Sequence, residues 1–258
     1  MATAAALRIQ IETSLASRFP AALSPQSRSF RETAATGIAS VDALLEGGLP
    51  VGAISEIVGP ECSGRTTLTL AFLAQCTARG QCCVWIDTGD ALDPESAAAS
   101  GVHLPQLLWI RCAGRVLASP SRGKGAQKIW SQLDQGLRST DLLLQAGGFA
   151  ALVLDLGGVE PLQGLRIPLA TWFRFRQAAD RSRCSLLVLG QASYAQSSAA
   201  AVLDLTALCA QAQGGTVLTG CSFELSRRRE RFTPQSNQRK PPAVAWSAST
   251  AWAVEKSA

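Results

Sequence analysis

At 258 residues the chain suits one α/β domain with short extensions, and its 47% hydrophobic content supports a packed core and excludes a mainly disordered chain. No run of 18 apolar residues occurs and no basic start followed by an apolar block opens the chain, which argues against a membrane span and a secretory signal. The net charge of +5 is modest, with arginines gathered in the carboxyl third; eight scattered cysteines without a C-x-x-C pair, beside His103 as the only histidine, argue against zinc and for buried thiols in a reducing cytosol.

Residues 2 to 18 read as a short helix with Leu7, Ile11 and Leu15 on one face. Pro20 and Pro25 follow in a Ser-rich stretch to about Arg31 that reads as a linker, so the division is 1–31 for helix and linker and 32–258 for the main domain. The helix is either a satellite of the core or a segment that docks on a partner or a neighbouring copy. The specific part begins at Thr36, where TGIASVDALLEGGLPVG runs to Gly52. Ile54 to Val58 reads as a buried strand, and Gly59-Pro60-Glu61-Cys62-Ser63-Gly64-Arg65-Thr66-Thr67 follows it. This segment fits the phosphate-loop pattern G-x-x-x-x-G-K-[ST] at every fixed position but one, where Arg65 stands for lysine. The spacing of Leu68, Leu70, Ala71, Leu73 and Ala74 predicts a helix over Arg65 to Arg79. Glycines let the backbone curl its N–H groups toward a phosphate chain, and the helix N-terminus adds partial positive charge. Thr66 is then the residue that would reach Mg²⁺. The plain alternative is a glycine-rich strand-to-helix turn with no ligand.

Further strands are expected at Cys82 to Asp87 and Leu107 to Cys112, then a loop tip at Arg122 to Gly125 and a long helix from Ala126 to Ala146 closed by Gly147-Gly148. Phe149 to Asp155 is an apolar run ending in an acid, the Walker B form that delivers Asp155 to the carboxyl edge of a parallel sheet opposite Thr66. Many strands end in aspartate, so its place downstream of a phosphate loop carries that reading. Leu162 to Arg183 is mostly helical beyond Pro168, with Trp172, Phe173 and Phe175 among arginines. It is either a core-facing aromatic stripe with a solvated basic face or a surface for stacking bases. Cys184 to Gln191 reads as another core strand. Leu205 to Gln213, Thr216 to Arg228 and Ala243 to Ser249 read as an antiparallel meander, with Arg227-Arg228-Arg229-Glu230-Arg231 as a basic patch or a solvated charge run, and Thr233 to Lys240 as a polar loop.

From Thr36 to about Arg111 the chain is similar to RecA-type recombinases: the lead at Thr36 to Gly52, the phosphate loop, CCVWID at Cys82 to Asp87 and ALDP at Ala91 to Pro94 all match in order. The resemblance implies a RecA-like P-loop NTPase core, an α/β fold with a mainly parallel twisted sheet flanked by helices and an antiparallel C-terminal extension of the sheet. It implies ATP and Mg²⁺ as cofactors, Thr66 and Asp155 as metal ligands, Asp93 at the base edge, and Gln191 as the γ-phosphate sensor. Arg227 and Arg229 are the nearest equivalents of two lysines that reach the next subunit's nucleotide.

The sequence departs from that family in several places. The glutamate that polarises water falls on Gly89; Asp90, one residue on, would substitute only if the turn reshaped. Ser96 stands where a tyrosine stacks on adenine. The stretches after the Walker B strand (Gly157 to Leu165) and after Gln191 (Ala192 to Ala201) are short, and no separate C-terminal domain is expected before Ala258. Arginine cannot reproduce the compact ammonium of lysine between phosphates. Size and altered catalytic positions together look like the ImuA group. The resemblance then implies a bacterial cytoplasmic accessory factor of SOS-response translesion synthesis, with weak ATP binding and contacts to single-stranded DNA, to a RecA-like recombinase or translesion polymerase components, or to its own copies. The alternative is an active ATP-dependent recombinase on single-stranded DNA, and a third reading is a regulator that binds only protein.

Overall fold

The computed structural model describes residues 32–112, 116–117, 129–214, 217–230 and 242–249. The expected helix at 2–18, its linker, the tip at Arg122 to Gly125 and the loop at Thr233 to Lys240 lie outside these residues. In chain order the elements are β1 (Thr33–Ala34), α1 (Ala39–Leu44), β2 (Leu49–Pro50), β3 (Ile54–Val58), α2 (Arg65–Ala78), β4 (Cys83–Asp87), α3 (Pro94–Ala99) and β5 (Leu107–Arg111). There follow β6 (Val116–Leu117), β7 (Ile129–Trp130), α4 (Gln132–Ala146), β8 (Ala151–Asp155), α5 (Pro161–Leu165), α6 (Leu169–Ser182), β9 (Ser185–Gly190), β10 (Ala201–Gln213), β11 (Val217–Glu230) and β12 (Ala243–Ser249).

Among the described residues one eight-stranded sheet dominates, in the order β12-β11-β10-β3-β9-β8-β4-β5. From β10 to β5 every neighbouring pair is parallel, while β10–β11 and β11–β12 are antiparallel. The composition of the strands accounts for this division. Residues Ile54–Val58, Cys83–Asp87 and Ser185–Gly190 are buried throughout, as strands covered by helices on both faces must be. One face packs Ile57, Trp85, Val153 and Leu187 under α2 residues such as Leu68, Phe72 and Leu73. The other packs Ile54, Val84, Leu152 and Val188 against Leu144 of α4 and Trp172 and Phe175 of α6. The sheet with its helix layers and antiparallel end is the fold class expected from the sequence.

Two local expectations change. The long helix starts at Gln132, and Ile129–Trp130 instead forms a short antiparallel pair with Val116–Leu117. The cause is a capping box: Ser131 Oγ accepts from Asp134 N at 3.1 Å, and Asp134 Oδ2 accepts from Ser131 N at 3.2 Å, which fixes the helix start there. The aromatic stripe of α6 is divided. Trp172 and Phe175 are fully buried and meet edge to face at 5.9 Å, whereas Phe173 is 47% exposed with the Arg176 guanidinium 5.1 Å above its ring. Among the described residues no helix is long and apolar enough to cross a membrane.

Ser131→Ala removes the hydroxyl acceptor while leaving the apolar face of α4 intact. It is expected to lower stability by about 1 kcal/mol in urea unfolding, with an unchanged denaturant slope.

Candidate nucleotide site

The register of the parallel strands brings the candidate residues to one edge. Val58 lies opposite Gly190, Leu189 opposite Asp155, and Asp155 opposite Asp87. The phosphate loop, Gln191, the segment after Asp155 and the turn Thr88–Asp90 therefore all leave the sheet at its carboxyl edge, where α/β folds bind ligands. Gly59 N donates to Gly190 O at 3.1 Å, tying the start of the loop to the end of β9. Gly59 tolerates no side chain, since a Cβ would meet Leu205 O and Ser63 Oγ at 2.5 Å. Gly64 caps α2 in the left-handed region (φ +89°) and lies against the Phe223 ring, 2.7 Å from a Cβ built there.

The loop fits an anionic ligand on observations independent of its pattern. Ser63 Oγ is buried and has no hydrogen-bond partner, and Arg65 Nη1 is equally buried and unpartnered. An orphaned hydroxyl and an orphaned cationic donor, beside the N-terminus of a 14-residue helix, are groups that phosphate oxygens would satisfy. Glu61, Cys62 and Thr66 are exposed around them, with Arg65 and Thr67 half-buried. The Arg65 guanidinium reaches across the edge toward Asp155: a Cβ on Gly157 would stand 3.0 Å from Asp155 Oδ1 and 3.4 Å from Arg65 Nη2. Thr66 sits in the first turn of α2 and Asp155 at the end of β8, so a divalent ion bound at this edge would find its oxygen ligands on these two elements.

Burial raises the Asp155 carboxyl to a pKa of about 6; the Gly157 N–H, donating at 2.8 Å, and the Arg65 charge pull it down, while Asp87 pushes it up. Asp87 itself is buried and works structurally, accepting from Gly89 N, Ala91 N, Leu92 N and Trp109 Nε1 at 2.9–3.2 Å. Asp90 is held by Arg111, whose Nε and Nη2 donate to its two oxygens at 2.6 and 2.7 Å. Those bonds keep the Asp90 carboxyl below the ordinary carboxylate range, so it has little drive to take a proton from water. Asp93 caps α3, accepting from Glu95 N, Ser96 N and the Ser96 hydroxyl; this also lowers its pKa. Gln191 is exposed, and its amide donates to Gly157 O at 3.2 Å, joining the end of β9 to the segment after Asp155.

Two contributors escaped the sequence reading. Glu56, in the middle of β3 and 1% exposed, accepts from Tyr194 N at 2.5 Å, Ala195 N at 2.7 Å and the Ser193 hydroxyl at 2.5 Å. It pins the segment just beyond Gln191. A glutamate amid an apolar strand run was the available signal. Tyr194, 1% exposed, packs where side chains on Gly164 and Gly190 would collide with it, and its hydroxyl has no partner.

The arginines of β11 are partly engaged. Arg228 Nε donates to Asp204 Oδ2 at 2.6 Å, and its Nη2 donates to Oδ1 of the same residue. Arg227 is mostly covered and pairs with Glu46 at 3.7 Å. Arg229 stands opposite Val202 in the β10 register, and Arg231 lies outside the described residues.

The Asp155 shift has a sign that can be tested. A carboxyl raised on folding penalises the folded state only when ionised: the penalty is absent below about pH 4 and complete above about pH 6. Asp155→Asn in metal-free buffer is therefore expected to raise stability on the order of 2 kcal/mol at pH 8, and thermal melts should show the gain fading as pH falls toward 4.

The RecA N-terminal domain family model matches residues 3–155 of this chain. Protein RecA of Colwellia psychrerythraea is 38% identical over 125 residues, which cover 48% of this chain and 31% of that protein. Protein RecA of Acinetobacter baumannii has the same identity and coverage, so the match spans about a third of the length of these curated relatives. The crystal structure of the RadB recombinase superposes with a TM-score of 0.55 at 18% identity, covering 83% of this chain and 94% of that one, a likeness of fold. By its matched domain this chain is a member of the RecA family.

Proposed function

We propose that this chain is a nucleotide-binding RecA-family protein of DNA repair that holds ATP far better than it hydrolyses it. It would act as an accessory factor of the ImuA type in error-prone translesion synthesis. The observation that carries the reading is the turn Thr88–Asp90. The position that would carry the water-polarising glutamate is Gly89, and the neighbouring carboxylate is committed to Arg111. Nucleotide binding draws on other groups: the loop amides, the orphaned Ser63 Oγ and Arg65 Nη1, and the oxygens of Thr66 and Asp155 toward Mg²⁺. The pinned segment after Gln191 supports the same conclusion, because Tyr194, Ala195, Ser198, Ala199 and Ala200 are buried and leave little chain free to reach DNA.

A DNA-dependent recombinase is the second reading. What favours it is the Gln191 amide on Gly157 O, a bond that would carry the state of the nucleotide from β9 to the loop after β8. The two readings separate in one experiment that follows labelled-ATP binding and phosphate release together, with and without single-stranded DNA. The accessory reading expects binding with negligible release; DNA-stimulated release would establish the recombinase, and absence of binding would leave a protein-only regulator. Gly89 has room for a side chain, its nearest neighbour being Gly158 Cα at 3.8 Å from a built Cβ. Gly89→Glu is therefore expected to raise phosphate release, on the order of 10²-fold, without tightening binding.

DNA contact falls to the Arg227–Arg231 stretch, and protein contacts to a recombinase or to polymerase components complete the accessory role. Neutralising phosphates releases counterions, so the Arg227→Ala/Arg229→Ala double variant should weaken single-stranded DNA binding and reduce the log–log salt slope by about 1 to 2. An unchanged slope would remove this stretch from the interface.

A further inference from the structure

β10 and β11 outrun the sheet that supports them. β3 holds β10 only over Ala201–Asp204, and β12 holds β11 only over Gly220–Ser226. Past Asp204 β10 therefore keeps only one partner among the described strands, running beside β11 from Thr206 opposite Glu224 to Gln213 opposite Val217, while β12 backs β11 as far as Gly220. Every residue from Thr206 to Gly214 is exposed. Along its outer edge β10 therefore presents backbone N–H and C=O groups that no other described strand covers.

The hairpin's composition is that of a covered element. No charged residue occurs from Leu205 to Phe223, although 17% of the chain is charged. Leu208, Val217 and Leu218 are 53%, 49% and 44% exposed. Charge returns only at the root, in Glu224 and the Asp204–Arg228 pair. Free edge strands are ordinarily protected by lysines, inward charges, proline or β-bulges, and this one has bulges but neither charge nor proline. Register shifts between Ala207 and Cys209 and between Gln211 and Ala212 twist the hairpin; the second places its extra residue, Thr219, on β11, so β10 itself carries no extra residue from Cys209 to Gln213.

We infer that a second copy of this chain adds to the Cys209–Gln213 edge in antiparallel fashion, joining the two sheets edge to edge through their β10 strands. Charge selects this occupant. A strand carrying charges would be desolvated here with no counter-charge to meet, whereas the same neutral edge from another copy meets none. A two-fold axis beside Gln211 sets Ala210 opposite Ala212 and Cys209 opposite Gln213, so alanine faces alanine and no like charges oppose. The contact is isologous and closes at two copies, unlike a head-to-tail contact, which propagates. It requires neither nucleotide nor DNA.

Sedimentation velocity of the full chain over about 1 to 100 μM tests it, the range suited to a small interface. The expected result is a monomer–dimer equilibrium unaffected by nucleotide. Leu208→Lys and Gln211→Pro should each raise the dissociation constant about tenfold or more, with an unchanged circular dichroism spectrum. Gln211→Cys, close to the axis, should yield covalent dimers on mild oxidation. A monomer throughout the range, a polymer that lengthens with concentration, or a dimer indifferent to Leu208→Lys would each overturn the inference. Leu208 is exposed and its substitution leaves the core untouched, so the test stands even where the proline variant fails to fold.

Discussion

A buried carboxylate in the middle of a parallel sheet cannot stand alone, and Glu56 governs much of what surrounds it. Taking an ion out of water costs several kcal/mol unless hydrogen bonds replace the lost hydration. Glu56 recovers them from Ser193, Tyr194 and Ala195, all of which follow the sheet edge at Gln191. That demand folds the segment back over β3. It seats Tyr194 against Gly164 and Gly190, and it delivers Ala200 N to Ile54 O so that β10 can begin beside β3 at Ala201. A charge in the core thereby sets both the closure of the loop and the start of the antiparallel extension.

The carboxyl edge shows the opposite condition, polar groups left without partners. Ser63 Oγ, Arg65 Nη1 and the Tyr194 hydroxyl are buried and unpaired, and the Asp155 carboxyl is held near a pKa of 6 by burial. Unsatisfied groups of this kind cost stability and persist where a ligand or a solvent molecule completes them. Arg65 changes the balance among them. Its guanidinium is wider than an ammonium and reaches the Gly157 side of the edge, where it draws the Asp155 pKa down against the burial that raises it. An arginine placed there would neutralise the charge of a bound phosphate from a different position and with fork geometry in place of a point charge.

The sequence made the strands of the main sheet legible because each is a short apolar run, and it made the phosphate loop legible because its glycines have fixed spacing. What it concealed were the pairings across distance. Glu56 meets Tyr194 over 138 residues, and Asp90 meets Arg111 over 21. Neither pairing leaves a periodic trace, so Asp90 reads as a free carboxylate until its partner is seen. The start of α4 is legible in the spacing of Ser131 and Asp134, which is that of a capping box, whereas a helix begun at Ala126 overlooks it. β10 begins four residues earlier than its alternation suggests, since Ala201–Asp204 belongs to the parallel register with β3 and only the remainder follows the hairpin pattern.

These features point the same way when taken as constraints on motion. Coupling a nucleotide to a distant ligand requires an element with two arrangements that the nucleotide biases. The segment after Gln191 stands where such an element would act, but three hydrogen bonds to a buried carboxylate hold it, and releasing it would strand that charge in the core. The cost of a second arrangement is therefore set by Glu56 and exceeds what one side-chain amide on Gly157 O contributes. On the proposed reading, a nucleotide held at this edge would not pass its state on through that segment. The surfaces left to act would then be the arginines near the end of β11 and the neutral stretch of β10, and their work would depend on which partner is present more than on the stage of a hydrolytic cycle.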